Sequence, residues 1–238
     1  MSASTLLVFA RCAGFVFKAP GFSHPSVPAP VRAALALVFT LGTLPATATP
    51  DRALDLRFIF GVAFEFAIGA AIGVAASVLY DGAYAAGRAL DDYVGIRGIA
   101  PSAAFFAASG FGRIWSLTFL AGFFLLRGYD PIIRILAESL SRLPPGAPVY
   151  VSGFQQFAIT LPALILKAAA LIAGPAIAVV FVAECALGAL SRAIPRFASF
   201  TLSFPINFGS ILIVTLVMVP ILVHAGGQPW IFAPFLRR

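Results

Sequence analysis

Three charged side chains stand alone in apolar stretches of this chain: Glu65, Lys167 and Glu184. An ionised group facing hydrocarbon is strongly unfavourable unless it is paired or hydrated. Each therefore needs either a counter-charge on a neighbouring helix or subunit, or a water-filled pathway for ions or protons. Both readings stay open at this level. Lys167 and Glu184 do not neutralise each other, because their spacing corresponds to roughly 25 Å along a helix. Asp81, Asp91 and Arg192 join them as candidates for buried or intersubunit charge pairing.

Small residues accompany these charges. Every fourth position from Gly61 reads Gly61, Glu65, Gly69, Gly73, Ser77, Asp81, Ala85, Ala89. Helices in lipid associate through packing and interhelical hydrogen bonds, and small residues let their backbones approach. Gly61, Gly69, Gly73, Gly87 and Gly188 are the expected packing glycines. A four-residue ridge drifts by about 40° per step, so Glu65 and Asp81 face directions about 160° apart and must serve different neighbours.

Catalytic patterns are missing. Tyr80-Asp81 resembles half of an intramembrane aspartyl protease site, but no Gly-x-Gly-Asp half accompanies it. Ser109-Gly110 follows two alanines, so the Gly-x-Ser-Gly of rhomboid proteases is not present. There is no phosphate-binding loop and no His-Glu-x-x-His. Cys12 and Cys185 lie far apart, and His24 and His224 are the only histidines, so neither a metal site nor a cofactor is expected. The expectation is a non-enzyme.

The elements that must position these residues are helical and membrane-associated. Hydrophobic residues make up 61% of the 238 residues and charged ones 11%, a composition outside the soluble range. The net charge of +7 comes from scattered single Arg and Lys, without the basic tract or stacking platform of nucleic-acid binding. Most uncharged runs fall short of the ~20 residues of an ordinary span; only 33–50 and 197–236 are long enough. Prolines and glycines divide the chain into helices over 4–19, 31–44, 56–94, 113–127, 131–142, 154–194 and 206–225, with Pro162 and Pro175 as kink sites. Residues 95–112 read as a loop of unusual apolarity, with Ile99, Phe105, Phe106 and Phe111 set among Ala, Ser and Gly. Such a loop at membrane depth is buried by protein or lines a cavity. The fold expected is an all-α, membrane-associated bundle of long kinked helical hairpins, one domain over 1–238.

Three segments, in order, resemble the FliR/SctT (YscT/SpaR/HrcT) family of flagellar and type III secretion export-gate proteins. The first is Arg11-x-x-Gly14-Phe15 followed by Ala19-Pro20-Gly21-Phe22 and Val27-Pro28-x-x-Val31-Arg32-Ala33. The second is Glu65-x-x-x-Gly69-x-x-x-Gly73, leading to Ala86-Gly87-x-x-x-Asp91. The third is Leu187-Gly188-x-x-Ser191-Arg192-x-x-Pro195, with Phe200 and Phe204-Pro205 after it. The chain departs from the family pattern at Val94, at Arg196-Phe197-Ala198, and at Asn207, where a lysine is usual. Asp91 after Ala86-Gly87 looks more like the injectisome branch than the flagellar one.

The resemblance implies a non-catalytic export-gate subunit in the bacterial inner (cytoplasmic) membrane, multi-pass and extending toward the periplasm. Its implied partners are SctR/FliP-type and SctS/FliQ-type subunits, an SctU/FlhB-type switch protein, membrane lipid, and unfolded secreted proteins as cargo. The family's apolar plug loop would correspond to residues 98–112. A polytopic secondary transporter for a small solute, using the intramembrane acids, is the alternative.

Overall fold

The computed structural model describes residues 3–43, 56–94, 110–146, 151–193 and 200–228. These form seven helices and, among the described residues, no strand: α1 (Ala3–Lys18), α2 (Ala29–Thr43), α3 (Leu56–Val94), α4 (Gly110–Leu125), α5 (Tyr129–Arg142), α6 (Val151–Ala193) and α7 (Phe200–Gly227). The all-α expectation holds. Prolines mark several of the boundaries. Pro30 and Pro131 sit in the first turns of α2 and α5, where a missing N–H costs nothing. Pro205 and Pro220 lie inside α7, which begins before the expected residue 206.

Three helices are long and apolar enough to cross a membrane: Leu56–Tyr93, Gly153–Arg192 and Pro205–Gly227. This corrects the expectation drawn from uncharged runs. Two of the three carry the lone charges that cut those runs short, whereas the described part of the uncharged stretch 33–50 lies in the shorter α2. An isolated charge does not end a spanning helix when the fold supplies it with a partner. The chain is a multi-pass membrane protein.

The chain forms two compact units. The first is built from α1, α2, the first part of α3, α5 and the start of α6. Here α1 lies against α3 with both helices running the same way. A Cβ on Gly14 would collide with the Phe66 carbonyl, one on Gly69 with the Arg11 carbonyl, and one on Gly73 with the Phe15 carbonyl. Glycine at these three places brings one backbone directly onto the other. An α1–α2 hairpin closes the side of this pair through Phe15, Phe22 and Phe39, whose ring centroids stand 5.7–6.1 Å apart.

The second unit comprises the end of α3, α4, most of α6, and α7. Its core gathers Ala86, Leu90, Phe111, Trp115, Ile211 and Met218, among others. α4 and α7 run parallel: Phe111 meets Phe208, the Trp115 indole N–H donates to Thr215 Oγ1 at 3.0 Å, and Gly122 abuts the Val223 carbonyl. Outside this core α7 is strongly apolar, with Ile213, Leu216 and Val217 each more than 60% exposed. Its outward face is made for lipid or another protein.

Candidate functional site

Three polar centres interrupt the apolar packing. In the first unit, Arg11 of α1 is fully buried and donates from Nε to Glu65 Oε2 at 2.6 Å. Its Nη1 donates to the Ser139 carbonyl of α5 at 2.8 Å. The second carboxylate oxygen, Glu65 Oε1, accepts the Gly146 N–H at 2.8 Å. Gly146 adopts φ 75°, a left-handed conformation that glycine reaches without steric cost. The lone acid at 65 is thus an internal counter-ion that ties α1, α3, α5 and the turn after α5 together.

Sequence reasoning flagged Glu65 and missed the other three members. Arg11 could have been found, since it is the only charge within the apolar helix 4–17. Ser139 and Gly146 could not, because a backbone carbonyl and a backbone N–H carry no residue-type signal. Beside this centre Cys12 is buried, and that burial pushes its thiol pKa up. Hydrogen bonds with Thr40 and Thr43 pull the other way but do not prevail.

The second centre joins the two helices that flank residues 95–109. Asp91, fully buried near the end of α3, accepts the Phe111 N–H at 2.9 Å on Oδ1 and the Gly112 N–H at 3.4 Å on Oδ2. These are N–H groups that a helix start cannot satisfy internally, and an acidic side chain is their favoured acceptor. Gly87, one turn earlier, faces Gly112 so closely that a Cβ would collide with the Gly112 backbone. Asp91 and Gly87 together clasp the start of α4 against α3.

The expected loop is corrected by this clasp. α4 begins at Gly110, and Phe111 is a helical residue, 3% exposed and packed against Phe208, not a loop side chain. Ile99, Phe105 and Phe106 lie outside the described residues.

The third centre lies between α6 and α7. The Asn207 side-chain amide donates to Glu184 Oε1. Glu184 is half-buried and Asn207 is 6% exposed. Lys167 and Arg192 of α6 are exposed; Asp81 is half-buried on the part of α3 that belongs to the second unit, and Glu65 belongs to the first. Of the expected packing glycines, Gly69, Gly73 and Gly87 are enforced by facing backbone. Gly61 meets only Leu7 Cδ2 at 3.5 Å, and nothing described lies within 4 Å of a Cβ at Gly188. No group of three or more His, Cys, Asp or Glu capable of holding a metal occurs among the described residues.

The fold and these centres define a class: a multi-pass, all-α membrane protein whose buried polar groups hold helices together. The chain belongs to the bacterial export proteins, family 1, whose sequence profile matches residues 2–230, and this is the FliR/SctT-type family. No curated protein matches it by sequence.

Proposed function

We propose that this chain is a non-catalytic subunit of a type III protein export gate, on the injectisome branch. With SctR/FliP-type and SctS/FliQ-type subunits it forms part of a closed channel for unfolded proteins in the bacterial inner membrane. An SctU/FlhB-type switch protein adjoins it, and the assembly extends toward the periplasm. Energy for transport comes from other components.

The observation that carries this reading is the Asp91 clasp. It holds the two ends of an apolar segment together at Gly87 and Gly112, so the segment between them can serve as a plug without loosening the helices that carry it. Ile99, Phe105 and Phe106 are its bulky groups, and Phe111 is its helical base. The carboxylate of Glu65 supports a gate over a solute transporter, since both its oxygens are already engaged within the chain.

The test is deletion of residues 100–108 in the assembled gate. The clasp residues stay in place, and the residues left between Val94 and Gly110 suffice to join ends already in contact, at ~3.3 Å per residue. Assembly is expected to be retained and ion leakage across the membrane to rise. Unchanged conductance in an intact assembly would overturn the plug assignment.

A further inference from the structure

The Glu184–Asn207 pair is incomplete within this chain. Asn207 uses its amide N–H to bind Glu184, while its buried carbonyl oxygen Oδ1, in a residue 6% exposed, has no hydrogen-bond partner among the described residues. Burying a carbonyl without a donor is unfavourable, and a carboxylate with only one neutral donor on an apolar helix is under-compensated as well. Both remaining acceptors belong to one small cluster, so a single cationic donor would satisfy them together.

The backbone around the cluster is open. A Cβ on Gly188, one turn beyond Glu184 on the same face of α6, would meet nothing described within 4 Å. Glycine inside a helix is destabilising compared with alanine. Gly188 gains nothing from packing within the described chain, unlike Gly69, Gly87 or Gly122. Phe181, one turn before Glu184, is 66% exposed. Bare backbone beside a bulky apolar side chain suits the close approach of another helix.

We propose that Glu184 and Asn207 form an intersubunit receptor for a lysine or arginine on an apolar helix of another gate subunit. The incoming cation donates to the free oxygen positions of Glu184 and to Asn207 Oδ1, and its helix packs over Gly188. Charge complementarity selects this occupant, because every unsatisfied atom of the cluster is an acceptor. The proposal rests on the export-gate reading and deepens it by naming the chemistry of one partner contact.

Three variants test it in the complex co-expressed with the other gate subunits, with a tag on this chain and recovery of the intact assembly as the readout. Glu184→Gln removes the charge. Asn207→Lys supplies a competing cation from within the chain. Gly188→Leu fills the open surface while leaving the isolated chain room to fold. Thermal unfolding of each isolated chain runs in parallel.

The expected result is a roughly tenfold or greater loss of assembly for each variant, with the unfolding temperatures of Asn207→Lys and Gly188→Leu at or above that of the parent. Assembly at the parental level in all three would overturn the receptor and leave the gate reading standing; a lipid amine at the site would give that outcome. Failure of the parent chain itself to assemble with those subunits would overturn the gate reading, and this inference with it.

Discussion

Arg11 and Glu65 are separated by 54 residues and meet at 2.6 Å in the interior of the first unit, with no solvent access to the guanidinium. Desolvating two charges is costly, and the pair holds its place because the Ser139 carbonyl accepts from Arg11 and the Gly146 N–H donates to Glu65. Removing one partner is a different matter from removing both.

Glu65→Gln is expected to destabilise the purified protein by about 3–5 kcal/mol, because it leaves a buried guanidinium without a counter-charge. Arg11→Met combined with Glu65→Leu should recover much of that loss. Denaturant or thermal unfolding in detergent measures both. Additive losses in the double variant would refute the coupling.

Gly69→Ala and Gly174→Ala should act in opposite directions. The methyl group at 69 would fall on the Arg11 carbonyl, and backbone cannot step aside cheaply, so a cost of about 1–3 kcal/mol is expected. At 174 nothing described lies within 4 Å, and the helix should gain up to ~1 kcal/mol. Equal effects at the two sites would show that the α1–α3 contact is not close packed.

Asp91→Ala should cost about 0.5–2 kcal/mol as a lost cap. Amide exchange at Phe111 and Gly112 should accelerate, while exchange in the middle of α4 stays slow. Asp91→Asn keeps an acceptor and should retain part of the protection. Unchanged exchange at Phe111 in Asp91→Ala would remove the clasp from the account.

Cys12 and Cys185 should differ sharply toward a membrane-permeant alkylating reagent. Cys12 is buried and its thiol pKa is raised, so the reactive thiolate is scarce at neutral pH; Cys185 is exposed. The folded state keeps the proton longer than the unfolded chain does. This group's contribution to stability is therefore fully present below the thiol's ordinary pKa and is lost as pH rises through the alkaline range. Labelling of Cys12 should track unfolding, and rapid labelling of the native protein would contradict its burial.

Much of this protein was legible in its residue order. Composition set the membrane environment, because no soluble core needs so many apolar side chains. Proline and glycine positions gave helix existence throughout and most boundaries to within a few residues, since those residues act on the local backbone. The four-residue ridge on α3 indicated close packing, and Gly69 and Gly73 do meet backbone.

Partner choice was another matter. Periodicity correctly kept Glu65 from Asp81, but only the fold brought Arg11 to Glu65, since a pairing across 54 residues leaves no local trace. The start of α4 at Gly110 came from the Asp91 carboxylate on a different helix, so local composition alone read Phe111 as loop. Helix type is decided within a few residues along the chain. Which buried charge is satisfied, and by what, is decided by side chains and backbone atoms that only tertiary packing brings within hydrogen-bond reach.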